Sequence, residues 1–181
     1  MSAGLEAGVV SVNDRFFCPG YKLVDDRRIH CARRTGHGSQ SFVEGAQNSC
    51  NPVFIEVGQR LGTDAFYRYF QQFGLLEKTG IDLPGEAETS GLLYTADTMG
   101  EIDLATNSFG QNFNVTMTQM VSAFSSLVNG GYYYEPHVVK QIQDEDGNVI
   151  ETKDPVLLRK TVSSETSKML RQYLKATMDY G

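Results

Sequence analysis

Two short polar side chains, a hydroxyl and an amide, stand one residue apart in the stretch Ser49-Cys50-Asn51. A junction between two helices can present two such short polar side chains into a cleft. The tripeptide alone is weak evidence for a site, because Ser11-Val12-Asn13 repeats the pattern in a turn-rich stretch. A functional interpretation of Ser49 and Asn51 must therefore come from the residues around them.

A serine nucleophile needs a base within hydrogen-bond reach, and a lysine one helical turn later is one way to supply it. No lysine in the chain has a serine three residues before it. Lys78-Thr79-Gly80 has the composition of a second signature of that chemistry, which belongs on a strand. The residues that follow form a turn sequence, because Pro84 and Gly85 cannot continue a strand ladder. We interpret the triplet as a coincidental match.

Thiols and imidazoles suited to zinc occur at Cys18, His30, Cys31, His37 and Cys50. Neither Cys-x-x-Cys nor His-x-x-x-His is present, and neighbours such as His30 and Cys31 point to opposite faces of a strand. The spacing therefore predicts no metal site, and nothing in the sequence predicts a cofactor. Three cysteines leave three alternatives open: a Cys18–Cys31 disulfide, a Cys31–Cys50 disulfide, or unpaired buried thiols.

The composition is that of a folded domain. The 181 residues are 40% hydrophobic and 21% charged, which suits one domain with its own core. A net charge of −6 argues against binding to nucleic acid or to an anionic membrane. The arginines at positions 27, 28, 33 and 34 are offset by Asp25 and Asp26 and are predicted to form a solvated hairpin face. No run reaches the roughly 20 apolar residues of a membrane span.

The residues around the tripeptide predict a junction between two helices. A short helix over 41–46 could be capped by Ser39 or Ser41. Pro52 is favoured at the first helical position, so the next helix should begin there. The glycine-rich stretch 35–40 is predicted to be a loop.

Apolar periodicity over the rest of the chain predicts mainly helices with two small hairpins, an α+β fold. One helix is expected to open at Thr63 and Asp64, with Phe66, Tyr67, Phe70 and Phe73 as a core stripe. Further helices are expected over 103–110, 116–128 and 163–180, and hairpins over 21–30 and 138–150. The helix that opens with the capping box Thr116-Met117-Thr118-Gln119 should be buried. Its inward face is predicted to be Met117, Met120, Val121, Phe124, Leu127 and Val128. In the last helix the inward residues should be Met169, Leu170, Tyr173, Leu174 and Met178.

The run from Ser41 to Ile55, SFVEGAQNSCNPVFI, resembles the second-motif region of penicillin-binding protein transpeptidase domains. The similarity is greatest to the class B enzymes of division and sporulation in Gram-positive bacteria. Further stretches agree in the family's order, so the resemblance covers essentially the whole chain: residues 5–10, 17–20, 29–31, 79–86, 108–111, 115–119 and 129–131.

This resemblance implies the helix-rich lobe of the penicillin-binding protein and serine β-lactamase-like fold, with residues 1–181 as one partial transpeptidase domain. It implies an enzyme that cross-links peptidoglycan stem peptides through a serine acyl-enzyme and is acylated by β-lactams. Carried over by position, Ser49 would join the hydrogen-bond network that moves protons between the nucleophile's lysine, the substrate and the third motif. Asn51 would orient that lysine and hydrogen-bond the substrate's amide carbonyl.

Two departures from the family pattern limit what the chain should do alone. The family's Ser-x-x-Lys would lie before Ser2 and its strand Lys-Thr-Gly beyond Gly181, and both ends resemble cut helices. We therefore expect an internal fragment that neither transpeptidates nor binds penicillin covalently. The parent would act at the extracytoplasmic face of the bacterial membrane and would reach the membrane only through a segment outside this chain.

Two other functional interpretations of the chain stay open. It could be a non-catalytic interaction or structural domain on the same scaffold. A β-lactam sensor or a β-lactamase fits the Ser-Cys-Asn-Pro context less well. Because the sheet on which the helices would pack is missing, exposed apolar surface should favour self-association.

Overall fold

A computed structural model describes residues 1–180, with the backbone alone at Tyr180. Within these residues the helices are α1 (Ser2–Glu6), α2 (Phe42–Gln47), α3 (Asn51–Leu61), α4 (Thr63–Gln72), α5 (Glu101–Ser108), α6 (Met117–Val128) and α7 (Ser164–Tyr180). The strands are β1 (Arg15–Cys18), β2 (Tyr21–Val24), β3 (Arg27–His30), β4 (Gly38–Ser41), β5 (Tyr132–Tyr134), β6 (Gln141–Gln143), β7 (Val149–Thr152) and β8 (Leu157–Lys160). The predicted α+β class, dominated by helices, is confirmed.

The strands form four antiparallel two-stranded ribbons within the described residues, β1–β4, β2–β3, β5–β8 and β6–β7. Two of them, β2–β3 and β6–β7, are the predicted hairpins. The prediction of a loop over residues 35–40 was partly wrong, because Gly38–Ser41 pairs with β1 in the register Cys18 opposite Gly38. The local glycine content is outweighed there by a ladder with a partner strand that is distant in sequence.

Helix boundaries around the tripeptide follow the sequence signals. Ser41 caps α2 in a capping box, since its hydroxyl accepts from the Glu44 N–H and the Glu44 carboxylate accepts from the Ser41 N–H. Pro52 lies in the first turn of α3, where its missing N–H costs nothing. Both helix starts are therefore fixed locally, and the turn between them is short.

The main core surrounds α3. Val53, Ile55 and Val57 on this helix are buried, and Val53 and Val57 pack with Phe42 of α2 and Leu170 of α7. The three cysteines belong to the same buried cluster. The turn before α3 is thus anchored in the best-packed part of the molecule.

A second core lies under α4. Phe66, Phe70 and Phe73 contribute to it as predicted. Tyr69, rather than the predicted Tyr67, completes the stripe. Phe66 and Phe70 contact each other with ring centroids 4.9 Å apart, a distance typical of stabilising aromatic pairs.

The prediction of a buried apolar face on α6 was wrong for four of its six residues, whereas Leu127 is partly buried and packs against both cores as predicted. The buried residues of this helix are small or polar: Gln119, Ser122, Ala123 and Ser126. The larger apolar side chains, Met117, Met120, Val121 and Phe124, are exposed. Met178 of α7 is also exposed, against the prediction. Sequence periodicity identified an apolar face on α6, but it could not show that this face is exposed to solvent and does not pack on the core.

No helix in the described part of the chain is both long enough and apolar enough to cross a membrane.

Candidate functional site

The tripeptide forms a tight turn between α2 and α3. Helix α2 closes with the Ser49 N–H donating to the Ala46 carbonyl at 3.0 Å and the Cys50 N–H donating to the Gly45 carbonyl at 2.9 Å. Cys50 is fully buried, whereas Ser49 is exposed and Asn51 is half-buried. The buried middle residue therefore fixes the turn, and the two polar residues beside it stay accessible.

Ser49 adopts a left-handed backbone conformation with a φ of 47°. For a residue with a Cβ this conformation costs on the order of 1–3 kcal/mol, and it occurs both at functional sites and at the C-terminal ends of helices. The strain is held in place by the two α2 hydrogen bonds and by the burial of Cys50. The turn is thus a fixed feature that presents the Ser49 side chain on the surface.

Asn51 and Gln40 connect this turn to two strands. Asn51 Nδ2 donates to the backbone carbonyl of His30 at 2.9 Å, which joins α3 to the end of β3. Gln40 on β4 is buried, and its Oε1 accepts from Asn48 Nδ2 at 3.0 Å while its Nε2 donates to Cys50 Sγ at 3.1 Å. Two strands therefore hold the turn from the side of the core.

Helix capping explains part of the turn. Ser49 is the left-handed residue that follows the α2 cap Asn48, and the N–H groups of Ser49 and Cys50 bind the last carbonyls of α2, as in a Schellman motif. The cap residues around the turn are Asn48 for α2 and Cys50 for α3, and the Cys50 side chain makes no capping hydrogen bond. Asn51 uses its amide for the long-range contact to His30. Ser49 therefore closes α2 through its backbone, whereas the Ser49 and Asn51 side chains are not used as helix caps.

The fold brings four zinc-type donor atoms together directly beneath this turn. Cys18 ends β1, Cys31 follows β3, His37 precedes β4 and Cys50 precedes α3. Their ligand atoms all lie within 4.8 Å of one another, with Cys31 Sγ 3.6 Å from His37 Nδ1. The three thiols are free and buried. The argument from spacing against a metal site was therefore incomplete, since it considered pairs close in sequence and the structure joins four separate segments.

Two glycines make this convergence possible. Gly20 and Gly36 both have positive φ, 98° and 82°. A Cβ on Gly20 would overlap the Arg34 carbonyl, and a Cβ on Gly36 would overlap the Cys18 carbonyl. The segment after Cys18 and the segment before His37 thus approach as closely as backbones can, which only glycine allows.

The thiol environments differ across the cluster. Burial raises the pKa of the Cys50 thiol to about 12, because a thiolate in the core would lose its hydration. At Cys18 burial acts in the same direction, but backbone N–H groups of His37 and Gly20 lie near Sγ and leave the pKa of that thiol below its ordinary value. Bound divalent cations favour the thiolate forms of the cysteines around them.

The four donors of the cluster were recognised in the sequence as zinc-type groups, but their convergence and the contacts of Gln40 were not predicted. Cys18 stands two residues before Gly20, and His37 directly follows Gly36. Glycine allows a sharp turn at each of these positions, but the spacings do not show that the four donors converge. Gln40 had no signal either, because the stretch 35–40 was predicted to be a loop.

The triplet Lys78-Thr79-Gly80 lies outside any helix or strand, as predicted. The Glu86 carboxylate accepts from the Thr79 N–H and hydroxyl, each at 2.7 Å, and from the Gly80 N–H at 3.1 Å. These hydrogen bonds to the Glu86 carboxylate close the loop over residues 79–86. The triplet therefore has a structural explanation and is not a strand signature.

Comparison with known proteins places this architecture in one family. The chain matches the family model of the penicillin binding protein transpeptidase domain over residues 1–181. Stage V sporulation protein D of Bacillus subtilis (strain 168) is 39% identical over 183 aligned residues, which cover 100% of this chain and 28% of that protein. Penicillin-binding protein PbpB of Mycobacterium tuberculosis is 28% identical, covering 98% of this chain and 26% of that protein. The chain thus spans little more than a quarter of these relatives.

Solved structures agree with this assignment. The D,D-transpeptidase domain of a peptidoglycan glycosyltransferase from Eggerthella lenta superposes with a TM-score of 0.90 at 21% identity, covering 99% of this chain and 46% of that one. Penicillin binding protein 3 of Mycobacterium tuberculosis, in complex with aztreonam, gives a TM-score of 0.85 at 28% identity, covering 97% of this chain and 39% of that one. The chain therefore belongs to the penicillin-binding protein transpeptidase domain family.

Proposed function

We propose that the chain is part of a D,D-transpeptidase that cross-links peptidoglycan stem peptides through a serine acyl-enzyme and is acylated by β-lactams. The observation that carries the proposal is the turn Ser49-Cys50-Asn51, in which the buried Cys50 leaves the two polar side chains beside it accessible. A strained and well-anchored turn of this kind suits a site in which two short side chains must be held in position.

The roles of the two residues follow from their functional groups. The Ser49 hydroxyl both donates and accepts, so it can relay a proton between a catalytic lysine and the substrate. The Asn51 amide offers a carbonyl to orient that lysine, and its N–H groups can bind the substrate's amide carbonyl. One Asn51 N–H is engaged by the His30 carbonyl, which fixes the amide plane while the carbonyl oxygen and the second N–H remain for this work.

The 181-residue chain by itself should be inactive. It holds neither a lysine three residues after a serine nor a Lys-Thr-Gly triplet on a strand in its described part. Nucleophile, base and oxyanion donors are the groups on which acyl transfer depends. The parent protein would act outside the cytoplasm in division or sporulation, and residues 1–181 would form one part of its catalytic domain.

The exposed apolar face of α6 supports self-association of the chain when it is separated from the rest of such a domain. Met117 is 82% exposed and Val121 60% exposed, and Met120 and Phe124 lie beside them. A contiguous apolar surface of this kind favours contact with another protein surface.

Labelling with fluorescent penicillin tests the proposed function. The full-length gene product that contains this chain should give a labelled band on a denaturing gel, and the 181-residue chain should give none. In the full-length protein, Ser49→Ala and Asn51→Ala should each slow acylation by about 100-fold or more. Asn13→Ala in the second Ser-x-Asn match is the matched control and should leave the rate unchanged, because Asn13 is exposed in a turn-rich stretch.

Each outcome decides between the alternatives. An unlabelled full-length protein that is folded by circular dichroism would overturn the proposal in favour of a non-catalytic domain on the same scaffold. A labelled band from the 181-residue chain would overturn the expectation that the chain alone is inactive.

A further inference from the structure

We propose that Cys18, Cys31, His37 and Cys50 bind one zinc ion, and that this ion connects the Ser49-Cys50-Asn51 turn to the two strand ribbons beside it. The proposal does not depend on the proposed function, since it concerns the side of the turn that faces the core. It rests on the convergence of the donor atoms, on their chemical type and on the groups that surround them.

The geometry fits a four-coordinate ion. Zinc bonds thiolate sulfur at about 2.3 Å and imidazole nitrogen at about 2.0–2.1 Å in a tetrahedron, which puts sulfur atoms about 3.8 Å apart. The donor atoms here all lie within 4.8 Å of one another, and Cys31 Sγ is 3.6 Å from His37 Nδ1. Closing a separation of at most 4.8 Å to about 3.8 Å requires each of the two donor atoms to move by about 0.5 Å.

The donor set selects among metals. Three thiols and one imidazole are a structural zinc set, and the cluster contains no carboxylate of the kind that calcium and magnesium prefer. The clusters of iron and sulfur are held by four cysteines in most proteins, whereas one donor here is a histidine. A closed set of four protein donors also leaves no open position for a reacting water, so the ion would be structural.

The surroundings already provide the outer contacts that zinc thiolates require. Gln40 Nε2 donates to Cys50 Sγ at 3.1 Å, and backbone N–H groups of His37 and Gly20 lie near Cys18 Sγ. Donors of this kind orient the ligands and offset the negative charge of the thiolates. Gln40 is itself held by a hydrogen bond from Asn48, which is the C-terminal cap residue of α2. The contacts around the ligands therefore extend to the end of α2.

The site joins four segments that also meet through strand pairing and the main core. Its ligands come from the ends of β1 and β3, the start of β4 and the residue before α3. Cys50 lies between Ser49 and Asn51 in the turn. Cys31 directly follows His30, whose backbone carbonyl accepts a hydrogen bond from Asn51. Removing the ion should therefore loosen the turn, while the second core under α4 should be little affected.

Zinc content and cobalt spectra test the proposal on the 181-residue chain. After purification and dialysis against zinc-free buffer, elemental analysis should find one zinc ion per chain. Cobalt exchanged into the site should give thiolate-to-metal charge-transfer absorption and the strong visible bands of tetrahedral coordination. His37→Asn keeps all three thiols and should lower the zinc content to well under half an ion per chain.

Two further variants make the result specific. His30→Asn is the matched control, since His30 adjoins Cys31 but lies outside the cluster, and it should retain the full zinc content. Gln40→Ala should keep the ligands and weaken zinc affinity by about 10- to 100-fold, as expected for loss of an outer contact. A folded wild-type chain without zinc, or one in which mass spectrometry finds a disulfide between two of the three cysteines, would overturn the proposal. So would equal zinc content in His37→Asn and His30→Asn.

Discussion

The side-chain amide of Asn51 donates a 2.9 Å hydrogen bond to the backbone carbonyl of His30, which lies 21 residues earlier in the chain. This bond joins the first turn of α3 to the end of β3. It also lies beside Cys31 and Cys50, two members of the four-residue cluster. The end of β3 and the start of α3 therefore hold both the accessible side and the buried side of the tripeptide. The conformation of the turn is consequently a property of the tertiary structure and not of the tripeptide alone.

The backbone strain at Ser49 gives a first prediction. Its φ of 47° is unfavourable for any residue with a Cβ and worst for a β-branched one. Ser49→Gly should therefore be at least as stable as wild type, and Ser49→Val should lose about 1–2 kcal/mol in the free energy of unfolding. Urea unfolding followed by circular dichroism measures this order.

The same pair of variants separates stability from function. In the full-length protein, Ser49→Gly should slow acylation by fluorescent penicillin although the fold is intact, because the hydroxyl is lost. Equal stability of Ser49→Gly and Ser49→Val would show that the left-handed conformation is not maintained in solution.

Glycine crowding gives a second prediction. Gly36 and Gly38 both have positive φ, 82° and 70°, but a Cβ would overlap the Cys18 carbonyl at Gly36 and would meet nothing within 4 Å at Gly38. Gly38→Ala should cost about 1 kcal/mol from backbone strain alone. Gly36→Ala should cost about 1–3 kcal/mol more, because the backbones must separate. Chemical unfolding of the two alanine variants measures the difference, and equal costs would contradict the close approach seen at Gly36.

The way these residues converge shows what the sequence could and could not predict. Local signals were sufficient for the capping box at Ser41 and for Pro52 at the start of α3, since each depends on residues within one helical turn. The positions of Cys18, Cys31, His37 and Cys50 depend on strand pairing between distant segments, for which no local pattern exists. The exposed face of α6 was missed for a related reason, because periodicity gives the direction of an apolar face relative to its own helix only.

A buried glutamine gives a third prediction. Gln119 is 1% exposed and satisfies four partners: its Oε1 accepts from the Thr116 N–H and the Thr89 hydroxyl, and its Nε2 donates to the Leu75 and Glu77 carbonyls. Gln119→Ala should therefore cost about 2–4 kcal/mol, because it removes the cap contact and leaves buried polar groups without partners. Gln71→Ala on the exposed side of α4 is the matched control and should change stability by less than about 0.5 kcal/mol. Similar losses for the two variants in urea unfolding would rule out this special role for Gln119.

The loop closed by Glu86 gives a prediction on pH. Burial alone would raise the pKa of Glu86, but the hydrogen bonds from Thr79 and Gly80 outweigh it and lower the pKa below its ordinary value. A lowered pKa in the folded state means that the stabilisation is complete above the unfolded-state pKa, which is about 4.3, and is lost as the pH falls through the lower folded value. Glu86→Gln should therefore reduce stability at pH 7 and have a smaller effect at pH 3. The measurement is the urea midpoint at both pH values, with Glu145→Gln in the exposed β6–β7 turn as the control.

Self-association through α6 gives the last prediction. Val121 and Phe124 are 60% and 49% exposed on the apolar face of this helix, while the opposite face carries the buried Gln119 and Ser126. Val121→Glu and Phe124→Glu should therefore make the 181-residue chain monomeric with little change in its thermal midpoint, since neither side chain contributes to the core. Sedimentation velocity over a range of concentrations measures the change. Met178→Glu places the same charge at an apolar residue that is 85% exposed on α7, so it should leave the association unchanged if α6 forms the contact. Dissociation by Met178→Glu, or association that persists in both α6 variants, would place the contact elsewhere on the surface.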